Sequence, residues 1–78
     1  MIKSQFETLR RQKEEQEGRK LSVRKIAEEA GVSVNTVQRM RKSEMDRVYI
    51  STLDKFCQYF GLQHIGELIE YVSTDSAT

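Results

Sequence analysis

An all-α fold, a compact bundle of about five short helices, is what this sequence predicts, and three observations carry the prediction. The 78 residues contain no proline, so nothing forbids helix along the chain. Apolar residues recur at three- and four-residue spacing through most of its length. Glycines stand at 18, 31 and 61, each just past such a stretch, where helices commonly stop. A chain this short buries only about 60% of its unfolded surface, which leaves room for one domain, placed at residues 1–72, and no sizeable catalytic cleft.

The elements follow in order. Ile2, Phe6 and Leu9 recur at helical spacing and lead into the helix formers Arg10 to Glu17, so the first helix runs from the N-terminal end to Gly18. Ser22 precedes Val23 to Ala30, in which Val23, Ile26, Ala27 and Ala30 form an i, i+3, i+4, i+7 stripe. The Ser22 hydroxyl is placed to cap this second helix. Gly31 permits a sharp turn, Val32 plugs beneath it, and Ser33 caps a third helix over 34–42. Leu53, Phe56, Cys57 and Phe60 define a fourth, with Ser51 and Thr52 as cap candidates and Gly61 as its stop. Ile65, Leu68, Ile69 and Val72 place a fifth over 65–72. Arg47-Val48-Tyr49-Ile50 reads as a loop, or as a short extended segment on its β-branched and aromatic content. Residues 73–78 read as a disordered tail.

Composition narrows the setting. The single Cys57 forms no internal disulfide and falls on an apolar stripe, as a core residue does. A reducing, cytoplasmic location is expected. No segment reaches the roughly 20 apolar residues that span a bilayer, and Met1 to Phe6 leads into charge rather than an apolar leader. The lone His64 lacks metal-ligand partners at useful spacing and belongs to a connector. There is no phosphate-binding glycine loop and no nucleophile with a credible base, so neither catalysis nor a cofactor, metal or small-molecule effector is expected. The formal net charge of +1 hides an uneven distribution. Residues 19–48 carry eight basic side chains against four acidic, residues 49–78 one against four, and residues 1–18 four of each. A basic middle that faces phosphate and an acidic end that faces away fit this split, as does a solubilising surface with no partner in mind.

The most specific signal spans helices two and three. Two helices crossing over a tight turn need a small residue at the closest approach, a glycine at the turn, and apolar residues that lock the angle. Ala27, Gly31, Val32, Val37 and Met40 supply these in order, while Ser33, Asn35, Thr36, Gln38 and Arg39 leave the start of helix three polar and exposed. The segment from Ser22 to Met40 resembles the helix-turn-helix of the lambda-repressor/Cro-like family. Thr52 to Leu62 and Gly66 to Val72 are similar to the last two helices of its compact members. The resemblance implies a lambda-repressor-like bundle that binds double-stranded DNA and regulates transcription, most simply as a repressor that occludes a promoter.

Many members of that family carry glutamine at the start of helix two and again at the start of helix three. Here those positions are Val23 and Val34, and Val34 has only a thymine methyl to touch. Asn35 and Arg39, one turn apart, become the leading base readers, suited to adenine and guanine respectively, with Thr36 and Gln38 beside them. Ser22, Ser33, Arg41, Lys42 and Arg47 read as phosphate contacts. A two-fold site calls for a homodimer, either in solution or only on DNA, and the resemblance implies that its contact lies on the later helices, where Tyr59, Leu62, Ile65 and Tyr71 offer apolar surface. Valine at both glutamine positions keeps a second reading open: a helical protein-binding adaptor or antitoxin-like partner with weakened DNA contacts.

Overall fold

The computed structural model describes residues 1–73, so most of the expected tail, 74–78, lies outside the described residues. Strand β1 (Ile2–Ser4) leads into four α-helices, α1 (Phe6–Glu17), α2 (Val23–Ala30), α3 (Val34–Arg41) and α4 (Ile50–Phe60). A 3-10 turn (Ile65–Glu67) and strand β2 (Ile69–Tyr71) complete the chain, and β2 returns antiparallel to β1. The fold is therefore mostly helical with four α-helices and a small two-stranded sheet, where the sequence predicted about five helices and no strand.

Local chemistry sets the helix ends. The Ser4 hydroxyl accepts the Phe6 N–H at 3.1 Å, which opens α1 at Phe6 and leaves Ile2 outside it, in β1. Gly18 closes α1 in the left-handed region, at φ 65°. The Glu14 carboxylate then accepts the Leu21 N–H at 2.7 Å and steers the buried Leu21 side chain under the turn. Ser22 and Ser33 cap α2 and α3 as expected, accepting the N–H groups of Lys25 and Thr36 at 3.1 Å each. Lys42 is the C-terminal cap of α3 rather than its last helical residue. Helix α4 begins earlier than expected. Tyr49, extended at φ −77° and ψ 143°, is its N-cap, and Ser51 and Thr52 lie inside the helix and do not cap it. Residues 47–49 are loop, and no strand forms there.

The largest correction concerns residues 65–72, which do not form a helix. The Glu67 carboxylate accepts the N–H groups of Gln63 and His64 at 2.7 and 2.9 Å, holding a single 3-10 turn that delivers Leu68 fully into the core. The Leu68 carbonyl then accepts the Gln5 N–H at 2.7 Å, and the chain continues extended along β1. Ile2 faces Tyr71, Lys3 faces Glu70 and Ser4 faces Ile69. An eight-residue helix has little stability of its own, and Ile69, Tyr71 and Val72 suit a strand better.

Phe6 lies at the centre of the core, its ring edge-on to Phe56 at 5.9 Å and to Phe60 at 5.7 Å between centroids. Ile26 and Ala27 of α2, Val37 and Met40 of α3, Leu53 of α4 and Leu68 join it in one buried cluster. Cys57 is half-buried beside this core, and burial raises its thiol above the ordinary value. No described helix is long and apolar enough to cross a membrane.

Candidate nucleic-acid interface

Helices α2 and α3 are joined by a turn whose geometry is fixed on three sides. Gly31 sits at φ 76°, and the Ala27 carbonyl accepts the N–H groups of both Gly31 and Val32 at 3.0 Å. From α4, the Lys55 ammonium donates to the Gly31 carbonyl at 3.2 Å. Val32 tucks partly under the turn, and Ala27 is buried where α2 passes close to its neighbours. The expected roles of Ala27, Gly31, Val32, Val37 and Met40 all agree with this geometry.

The position of α3 follows from two side chains. Val37 and Met40 are buried, so the opposite side of the helix faces outward, and helical spacing puts Asn35, Arg39 and Lys42 along it in one stripe. All three are exposed, as are Val34 and Arg41 on the flank. Thr36 is half-buried, and its hydroxyl lies 2.8 Å from that of Ser33. Gln38 is half-buried as well, and its Oε1 is out of solvent with no hydrogen-bond partner, which leaves it less free to reach outward than Asn35 or Arg39.

Electrostatics separate two kinds of basic residue. Among the described residues, the ion pairs hold Arg10 to Glu7, Lys13 to Glu17, and Arg19 to both Glu17 and Glu29. Arg39, Arg41, Lys42 and Arg47 take part in none of them. These free cations lie on α3 and on the loop that follows it. Arg39 and Arg47 meet across a cavity of about 80 Å³ also lined by Thr36, Met40, Glu44, Val48 and Tyr49. At its edge Tyr49 is 79% exposed, and the adjoining Ile50 is 80% exposed. The sequence reading assigned neither residue to this surface. The sequence read them as part of a loop or a short extended segment, and the start of α4 at Ile50, with Tyr49 as its N-cap, is what sets them outward.

The residues expected at a dimer contact differ in their surroundings. The Tyr59 hydroxyl donates to Glu29 at 2.7 Å, and the Lys13 ammonium sits over its ring, 4.6 Å from the centroid. Tyr59 thereby ties α4 to α1 and α2. Burial, then the bond to Glu29, raises the Tyr59 hydroxyl well above the ordinary phenol range. The Arg19 fork, followed by the Tyr59 hydroxyl, lowers the Glu29 carboxyl to about 2. Leu62 packs half-buried against the core, while Ile65 and Tyr71 are exposed.

Two short helices locked across a glycine turn, the second turning a polar and cationic face outward, define a helix-turn-helix protein. The chain belongs to the Cro/C1-type HTH DNA-binding domain family, whose model matches residues 17–74. It is thus a DNA-binding protein of the transcription-regulator class. No curated protein and no solved structure matches the chain.

Proposed function

We propose that the protein is a sequence-specific transcription repressor that lays α3 in the major groove and blocks a promoter by occupying it. The observation that carries this reading is the outward stripe of Asn35, Arg39 and Lys42, free of ion pairs, on a helix whose other side is pinned by Val37 and Met40. Asn35 and Arg39 read adenine and guanine edges, each able to offer two hydrogen bonds. Val34 meets a thymine methyl, and Thr36 and Gln38 flank the contact. Arg41, Lys42 and Arg47 meet phosphate, joined by the Ser22 and Ser33 hydroxyls at the two helix N-termini. One short helix carries limited specificity against a genome of competing sites. The protein therefore binds a two-fold site as a homodimer, through the surface that holds Tyr59, Leu62, Ile65 and Tyr71.

Selection of bound duplexes from a random library tests the reading directly. An enriched inverted repeat is expected, and Arg39→Ala should weaken binding to it by about 1 to 3 kcal/mol while relaxing preference at one base pair. If no motif is enriched, or if Arg39→Ala keeps the parental ranking of single-base variants, base reading by α3 is refuted.

A further inference from the structure

We infer that the cleft between the end of α3 and the loop that follows it is a binding site for a small free α-amino acid, which meets unpaired charges of both signs there. Two arginines, Arg39 and Arg47, and two acidic residues, Glu44 and Asp46, line one open cleft of about 510 Å³. All four are exposed. None of them takes part in an ion pair among the described residues.

The backbone fixes their spacing. Ser43 takes φ 59°, the Gln38 and Arg39 carbonyls accept the N–H groups of Lys42 and Glu44 at 3.1 and 2.9 Å, and the Ser43 hydroxyl accepts the Ser4 N–H at 3.0 Å. Glu44 is thereby anchored to the backbone of Arg39. Met45 and Val48 pack partly buried against the core, which holds the loop down on either side of Asp46 and Arg47. A site held in this way loses little freedom when a ligand enters. No sequence motif announces it, because the turn at Ser43 is what brings the four residues to one cleft.

The charges choose the ligand. A lone anion would meet Arg39 and Arg47 but face two carboxylates, and a lone cation the reverse, so repulsion would cancel much of what either gained. A zwitterion satisfies both sides. Its carboxylate suits the planar guanidiniums, which can each offer two hydrogen bonds, and its ammonium, on the adjacent carbon, suits Glu44 and Asp46. The side chain also has a place, since Arg39, Glu44 and Arg47 line the neighbouring cavity of about 80 Å³ as well, together with the apolar Met40, Met45 and Val48. A water-sized group takes up ~30 Å³, so this space suits a side chain of about three carbons. Valine has that size.

On the DNA reading above, which this step alone requires, Arg39 reads a base and Arg47 meets phosphate, so amino acid and duplex compete for the same two guanidiniums. A rise in the amino acid then releases the DNA.

Calorimetric titration of the whole chain with L-valine, in the absence of DNA, tests the site apart from that reading. Saturable one-to-one binding is expected. It should be tighter by roughly tenfold or more than binding of isovalerate, which lacks the ammonium, of L-valinamide, which lacks the carboxylate, and of glycine, which leaves the cavity empty. Glu44→Gln combined with Asp46→Asn should weaken L-valine by roughly tenfold or more. No saturable heat, equally tight binding of isovalerate, L-valinamide or glycine, or undiminished binding by the double variant would overturn the inference. On DNA, L-valine at ten times its dissociation constant should lower the apparent duplex affinity about elevenfold by mass action. L-Valine that binds as described yet leaves the duplex affinity unchanged would keep the site and refute the placing of Arg39 and Arg47 on DNA instead.

Discussion

Replacing Ala27 by leucine tests the premise on which the whole interface depends, that α2 and α3 are held at one angle by close backbone approach. Ala27 is 4% exposed and lies among Ile26, Val37 and Met40, all buried. Three added carbons can enter only if α2 moves away from its neighbours. Overpacking of this kind costs about 1 to 3 kcal/mol. For a domain of this size each kcal/mol lowers the melting temperature by about 4 to 8 °C, so Ala27→Leu should melt about 4 to 24 °C below the parent by circular dichroism. It should also bind a selected duplex more weakly at temperatures where it remains folded, since the angle of α3 has changed. Gly31→Ala provides the contrast. A Cβ there meets nothing within 4 Å, so its cost is that of the left-handed backbone alone, about 1 to 2 kcal/mol, and DNA affinity of the folded protein should stay within twofold. A melting point for Ala27→Leu within about 2 °C of the parent, with binding intact, would refute the argument.

Three further outcomes are expected. Ser43 holds φ 59° and accepts the Ser4 N–H. Ser43→Gly trades relief of about 1 to 2 kcal/mol against a hydrogen bond worth about 0.5 to 1.5 kcal/mol and should be near neutral. Ser43→Ala, which keeps the strain and loses the bond, should be the less stable of the two by about 1 to 2 kcal/mol in urea melts. Glu29 has a folded pKa of about 2 against an ordinary value of 4.5. Its contribution is therefore present above pH 4.5 and is lost as pH falls from there toward 2. Tyr59→Phe removes one of its donors and should move that carboxyl upward in an NMR titration; an unmoved resonance would exclude the Tyr59–Glu29 bond. Arg41, Lys42 and Arg47 each release counterions when they meet phosphate, which implies a slope of log K against log salt near −3 per half-site. A slope shallower than about −1 would favour the protein-binding adaptor.

The helical half of the fold was legible because its determinants are local. Ser22, Gly31 and Ser33 act on backbone groups within four residues of themselves, and the Ile26–Ala27 and Val37–Met40 spacings each lie within one helix. The sheet was not legible for the opposite reason. Ile65, Leu68, Ile69 and Val72 satisfy a helical period, and what overrides it is a partner strand at the far end of the chain, joined by the Gln5–Leu68 bond. Helix α1 was misread at its start by the same coincidence, since Ile2 keeps helical spacing with Phe6 although the Ser4 hydroxyl ends the extended segment between them. Leu21, fully buried, carried no periodic signal, because it lies alone in a turn and is placed by the Glu14 carboxylate.

Charge shows where the legibility of the site stops. The sequence concentrates basic residues between 19 and 48, yet that excess divides in space by what each cation finds beside it. Arg19 is spent in a fork on Glu29 and a second bond to Glu17, a network that reaches Tyr59 and braces α2 against α1 and α4. Arg39, Arg41, Lys42 and Arg47 find no such partner. Carboxylates four residues away on the same helix are legible as partners in a sequence, and Lys13–Glu17 is such a pair. The Arg19–Glu29 and Tyr59–Glu29 contacts join separate elements and emerge only once these are packed. The basic residues available to a polyanion are therefore those that packing leaves unpaired: Lys20, Arg24 and Lys25, before and within α2, take part in none of these ion pairs either, and Arg39 and Arg41 add the helix that the α2–α3 turn holds outward.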